Sequence, residues 1–89
     1  MKIKRYEGFG SGAGWEERGG KLCRRFRFAD FSEALAFINR VAAASEEMGH
    51  HPEMHWSYAD IEIRLSTHDA GGAITQKDID LSAAIDACE

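Results

Sequence analysis

Among its 89 residues the chain has one proline and two cysteines, Cys23 and Cys88. Two cysteines without a CxxC spacing build neither the disulfide framework of a small secreted domain nor a thiolate zinc site, so both are expected to be reduced thiols. Neither lies in a context that would activate a thiolate, which argues against nucleophilic catalysis. Long apolar runs are missing: nothing approaches the roughly 18 residues of a membrane span, and no continuous apolar stretch follows the basic N-terminal residues as in a secretory signal. A cytoplasmic location is therefore expected, with no membrane partner. Basic excess is missing as well, since 11 Lys plus Arg stand against 15 Asp plus Glu for a net charge of −4. Direct nucleic-acid binding is not expected, because phosphate neutralisation dominates that affinity. The chain also has no HExxH pair, no facial-triad spacing and no phosphate-cradling loop; Gly71-Gly72 is too short and follows no Rossmann pattern.

What remains is ordinary globular material, 44% hydrophobic and 29% charged. A domain of this length buries only about 60–65% of the surface its unfolded chain exposes, so its stability is expected to lean on oligomerisation, as a dimer or tetramer. Gly8, Gly10, Gly12 and Gly14 alternate with other residues, and such glycine density raises the entropic cost of ordering. Residues 1–14 therefore read as an irregular lead-in, and residues 15–89 as a single domain.

Within that domain, Gly19-Gly20 between Trp15–Arg18 and Lys21–Phe28 reads as a hairpin turn. Leu22, Phe26 and Phe28 share one parity, Cys23, Arg25 and Arg27 the other, and Arg24 interrupts the apolar side. Asp30 followed by Glu33 forms a capping pattern, and Phe31, Ala34, Leu35, Ile38, Val41, Ala42, Ser45 and Met48 follow the 3.6-residue period. This predicts a helix from Phe31 to Met48 with that stripe as core and Phe37 at its edge. Two further strands are expected over Glu53–Tyr58 and Ile61–Thr67, the second alternating with Ile61, Ile63 and Leu65 inward. The same parity would carry His68 to the outward face. Thr75-Gln76-Lys77-Asp78 is a second capping box, opening a helix with Ile79, Leu81, Ala84, Ile85 and Cys88 on its apolar side. Strands in pairs between two helices, without βαβ alternation, give an α+β fold: an antiparallel sheet of about four strands with helices packed on one face.

The chemistry concentrates in Glu46-Glu47-Met48-Gly49-His50-His51-Pro52 and in His68. Imidazole titrates nearest physiological pH, so histidines meeting in one cleft suit proton transfer. Gly49 and Pro52 end the helix, which gives His50 and His51 different directions. Glu46 and His50, four apart, share a face of the last turn. Glu46, His50, His51, His55 and His68 offer metal ligands in principle, but the adjacent histidines and the break at Pro52 make joint ligation awkward, and no metal is expected.

Glu46-x-x-x-His50-His51-Pro52-Glu53, then Tyr58, the alternating Ile61-x-Ile63-x-Leu65-x-Thr67-His68-Asp69-Ala70-Gly71-Gly72, and Lys77-Asp78 together resemble pterin-4a-carbinolamine dehydratase. Trp15, Leu22–Phe28 and Phe31-Ser32-Glu33-Ala34-Leu35-Ala36-Phe37 fit the same family, so the resemblance covers roughly residues 15–88. It implies a hydro-lyase of tetrahydrobiopterin recycling that converts 4a-hydroxytetrahydropterin to quinonoid dihydropterin and water by histidine acid/base catalysis. It implies no metal or redox cofactor, and functional coupling to an aromatic amino acid hydroxylase. By the same resemblance His50 and His68 handle protons, His51 contacts the pterin with Glu46 and Pro52 beside it, and Asp78 is a supporting acid. The alternative implied is a non-catalytic dimerisation or coactivator module, or a pterin-related binding protein, because family members also partner a homeodomain transcription factor. Three departures stand out: the glycine-rich lead-in stands where the family usually has an N-terminal helix, Met54 stands where a tryptophan is common, and Ala73 is one residue more than expected before Thr75.

Overall fold

The computed structural model describes residues 14–89, so all of the glycine-rich lead-in except Gly14 lies outside the described residues. Gly19 and Gly20 both adopt positive φ, 60° and 80°, as a tight hairpin turn demands. They fold β1 (Glu16–Arg18) back on β2 (Lys21–Arg27). The chain continues through α1 (Phe31–Met48), β3 (Glu53–Ser57), β4 (Asp60–Leu65), a 3-10 turn over His68–Ala70, and α2 (Gln76–Asp86). The four strands pair antiparallel in the order β1-β2-β4-β3, which leaves β1 and β3 at the edges. The expected α+β class holds. In the second pair three strand ends move: Tyr58 leaves β3 for the turn with φ 54°, and β4 begins at Asp60 and stops at Leu65.

The inward face of the sheet supplies Leu22, Phe26, Ile61, Ile63 and Leu65, and Trp15 joins them ahead of β1. Ala34, Phe37 and Val41 of α1 and Leu81 and Ile85 of α2 cover them. Each buried Leu, Ile, Val or Phe side chain among these contributes about 1.5–3 kcal/mol of burial free energy. The other face is a lattice of ion pairs, including Lys21–Glu53 at 2.8 Å, Arg27–Asp60 at 2.7 Å and Arg64–Glu62 at 3.0 Å. Exposed pairs of this kind are worth about 0–1 kcal/mol each and chiefly keep the face wet. Arg24, on the inward parity, escapes the core by lying over the Phe26 ring and pairing with Asp86 and Glu89. Asp86 also accepts the Trp15 indole N–H at 2.9 Å, while burial pushes its carboxyl upward against those favourable contacts.

Helix α1 is rotated from its expected setting. Its buried residues are Ala34, Phe37, Val41 and Ser45, whereas Phe31, Leu35 and Met48 stay 46%, 41% and 39% exposed. Both residue sets obey the 3.6-residue period, so periodicity does not choose between them. The sheet does: Phe37 lies 4.7 Å from the ring centroid of Phe26 and 4.9 Å from that of Phe28. Ser45 tolerates burial because its hydroxyl donates to the Val41 carbonyl at 2.8 Å. The helix starts as expected at Asp30, whose carboxylate accepts from Glu33 N at 2.9 Å, but Glu33 reaches back to Ala29 N–H and not to Asp30 N–H. In α2 the buried side is Asp78, Leu81, Ser82 and Ile85, with Ile79 and Ala84 only half-buried.

Edge strand β3 carries an acid-sensitive contact. Hydrogen bonds from Lys21 and then His55 hold the Glu53 carboxyl at about 2, against an ordinary 4.5. A depressed carboxyl contributes stability that is complete above about 4.5 and lost as pH falls toward 2. Glu53→Gln is therefore expected to remove a small, salt-sensitive part of the acid transition in that window, followed by fluorescence of Trp56 on the same strand. Superimposable acid titrations of the two proteins would contradict it.

Candidate functional site

The site begins where α1 ends. Gly49 takes left-handed geometry, φ 65° and ψ 27°, and its N–H bonds back to the Glu46 carbonyl. The His50 N–H donates to the Ser45 carbonyl at 3.1 Å, so the chain reverses in a Schellman turn that glycine alone enters without steric cost. This reversal corrects the expected pairing. His50 swings away from Glu46, and it is His51, exposed, whose Nε2 meets Glu46 Oε2 at 2.5 Å. His50, with its side chain only 13% exposed, turns toward α2 and meets Asp78 Oδ1 through Nε2 at 2.7 Å.

Asp78 is fully buried at the third position of α2. Its Oδ2 accepts the Thr75 backbone N–H at 2.8 Å, closing the capping box foreseen from the sequence. The same oxygen accepts the Thr67 hydroxyl at 2.8 Å. The carboxylate that caps the helix therefore also holds a histidine on one side and a threonine on the other. The local pattern accounts for the cap alone.

The loop after β4 explains how Thr67 gets there. Thr67 N–H donates to the Ala73 carbonyl at 2.9 Å, and the two residues form an isolated antiparallel bridge. Ala73, the extra residue, thus closes the loop and brings Thr75 against Thr67, with their hydroxyls 2.6 Å apart. Thr67 keeps the inward parity of Ile61, Ile63 and Leu65 and is buried, although β4 itself ends at Leu65. His68 follows it as an exposed residue opening the 3-10 turn, outside the strand whose parity was extended to it.

Asp78 therefore joins the two histidine-bearing segments: one oxygen touches His50, and the other touches the residue directly before His68. His51 and Glu46 form an exposed pair next along the chain, and Pro52, half-buried, leads into β3. His55 stands apart, bonded to Glu53 at 2.7 Å on the face of the sheet turned away from the helices. A groove of about 560 Å³ also lies there, bounded by Arg25, Met54, His55, Trp56, Asp60 and Glu62; His50, His51 and His68 do not line it. Sequence reasoning passed over Thr67 and Thr75 as site residues. The available signal was a hydroxyl at an inward-parity position beside a histidine.

Chemically the cluster offers a half-buried imidazole backed by a carboxylate, with exposed imidazoles at His51 and His68. Among the described residues no three His, Cys, Asp or Glu side chains form a group able to hold a metal. Burial pushes the Cys23 and Cys88 thiols upward, away from a reactive thiolate.

The family model described as Pterin 4 alpha carbinolamine dehydratase matches residues 3–88. A Prochlorococcus marinus protein that provisionally carries the name pterin-4-alpha-carbinolamine dehydratase is 52% identical over 73 residues, spanning 82% of this chain and 75% of its own. Among solved structures, a transcriptional coactivator/pterin dehydratase from Brucella melitensis is 32% identical with a TM-score of 0.78, covering 84% of this chain and 81% of that one. A pterin dehydratase-like protein identified as a RuBisCO assembly factor in the alpha-carboxysome is 25% identical with a TM-score of 0.73, covering 96% and 95%.

Proposed function

The chain belongs to the pterin 4 alpha carbinolamine dehydratase family, and from that premise we propose that it dehydrates 4a-hydroxytetrahydropterin to quinonoid dihydropterin and water. The observation that carries this reading is the Asp78 carboxylate, buried and shared between His50 and the Thr67–His68 segment. A solvated structural acid has no need of such a partner set. In the proposed reaction a pterin N–H loses its proton, the electron pair forms the C=N bond, and the C4a–O bond breaks as the hydroxyl gains a proton and leaves as water. His50 and His68 exchange the two protons, as imidazoles near neutrality are suited to do. His51, oriented by Glu46 and set beside Pro52, contacts the pterin, and Asp78 positions His50. This dehydratase-like domain is proposed to span residues 15–89, to act in the cytoplasm, and to serve an aromatic amino acid hydroxylase. The test is dehydration of freshly generated 4a-hydroxytetrahydropterin. Acceleration well beyond the spontaneous reaction is expected, and a rate equal to buffer alone would defeat the proposal.

Because proton transfer needs no metal and adjacent histidines ligate poorly together, activity is expected to survive exhaustive chelation. Stoichiometric zinc or iron in the purified protein, with activity lost on its removal, would overturn this mechanism. The protein is also proposed to be a dimer or tetramer, since edge strands β1 and β3 need covering and the core is small. Sedimentation at micromolar concentration giving only monomer would refute that.

A second reading, a non-catalytic interaction module, is favoured by the exposed apolar surface. Phe31 stacks on Trp56 with centroids 4.7 Å apart, and Tyr58 stands 66% exposed nearby. The coactivator and RuBisCO assembly roles named for the two solved relatives are of that kind. The dehydration assay separates the readings, because a pure interaction module does not need the three histidines.

A further inference from the structure

With Asp78 as the carboxylate, the hydrogen-bond inventory around it closes in one way. A hydroxyl has a single proton to give. Thr67 Oγ1 gives its proton to Asp78 Oδ2, so the 2.6 Å contact between the two threonine hydroxyls must be donated by Thr75. Thr75 Oγ1 in turn accepts the Lys77 backbone N–H at 3.3 Å. Asp78 Oδ2, bonded to Thr67 O–H and Thr75 N–H, is then filled, and Oδ1 remains for His50. A carboxylate accepts only, so the His50 nitrogen facing it, Nε2, must carry the hydrogen. In a neutral imidazole the other nitrogen, Nδ1, is then the bare one.

We propose that Thr67 and Thr75 are positioning residues: their hydroxyl chain occupies Asp78 Oδ2, reserves Oδ1 for His50 Nε2–H, and so holds His50 in the tautomer whose Nδ1 accepts the proton. On the proposed dehydratase reading, Nδ1 takes the pterin N–H proton, and the resulting imidazolium keeps its Nε2–H on Asp78. His68 then supplies the proton that leaves with the hydroxyl. Without the Thr67 hydroxyl, Oδ2 is held by the Thr75 N–H alone, the carboxylate turns more freely, and the Oδ1 contact that requires a hydrogen on His50 Nε2 weakens, so that the other tautomer becomes populated.

The test combines a tautomer measurement with kinetics. Histidine ¹⁵N NMR is recorded on the full chain as a function of pH and read on the alkaline plateau of the His50 signals. Wild type is expected to show His50 wholly protonated at Nε2 and bare at Nδ1. Thr67→Val, which keeps the side-chain shape and deletes the hydroxyl, is expected to give a tautomer mixture. It is also expected to lower kcat about 10–100-fold with KM changed less than about threefold, the scale typical of losing a group that orients a functional imidazole. Thr67→Ser is expected to restore both readouts. A wild-type His50 protonated at Nδ1, or a folded Thr67→Val protein with unchanged tautomer and turnover, overturns the proposal. Should Thr67→Val fail to fold, Thr67→Ala, which also deletes the hydroxyl and leaves the Thr75 cap of α2 intact, is read by the same two criteria. If wild type does not dehydrate the pterin, the dehydratase reading falls, while the NMR comparison still decides whether the threonines set the tautomer.

Discussion

Alanine at His50 or at His68 is expected to lower turnover about 10²–10⁴-fold while the Michaelis constant moves far less, because each would remove a group that transfers a proton in the transition state. His51→Ala is expected to behave differently, raising the Michaelis constant with a smaller loss of turnover, since His51 lies exposed against Glu46 and is proposed to hold the pterin. His55 is the control: it bonds Glu53 on the opposite side of the sheet, and its replacement should change little. Steady-state kinetics of the four variants, with circular dichroism to verify folding, checks the set. The assignment fails if His55→Ala is as damaging as His68→Ala, or if all three motif variants keep near-normal rates while folded. His50 has a structural partner as well, so a modest stability loss in His50→Ala is compatible with the proposal and a normal rate is not.

Phe37→Ala is expected to cost about 3–5 kcal/mol, the range for deleting a fully buried aromatic side chain. Phe37 is 0% exposed and packs against Phe26 and Phe28, two rings carried by the sheet. Native domains have about 5–15 kcal/mol of total stability, so this loss is a large fraction of the total and should lower the unfolding midpoint well below that of the wild type. Urea denaturation measures the loss directly, and Phe37→Leu, which refills part of the cavity, should lose less. A midpoint shift corresponding to under about 1 kcal/mol would return Phe37 to the edge position that periodicity alone suggested, and would mean that α1 sits on the sheet differently.

Local signals in the sequence determined the elements. Asp30 and Gly49 bound α1 because a side-chain acceptor at one end and a left-handed residue at the other satisfy the backbone groups that a helix leaves unpaired. Gly19-Gly20 made the hairpin, the Ile61, Ile63, Leu65 alternation oriented β4, and Thr75 with Asp78 opened α2. The histidines that mark the candidate site were visible for the same reason, since their spacing is itself local.

Contacts between distant segments decided the rest. The 3.6-residue period leaves neighbouring faces of α1 nearly equivalent, and only the rings of Phe26 and Phe28 drew Phe37 inward while leaving Leu35 in solvent. Glu46 lies near both His50 and His51 in sequence, but the reversal at Gly49 gave it His51 and sent His50 to Asp78, 28 residues away. Thr67 looked like the polar end of a strand until its bridge to Ala73 placed its hydroxyl against Thr75 and Asp78. A buried carboxylate takes whatever donors the packed chain brings within reach, and that set depends on which segments the fold juxtaposes, which no local pattern in the sequence encodes.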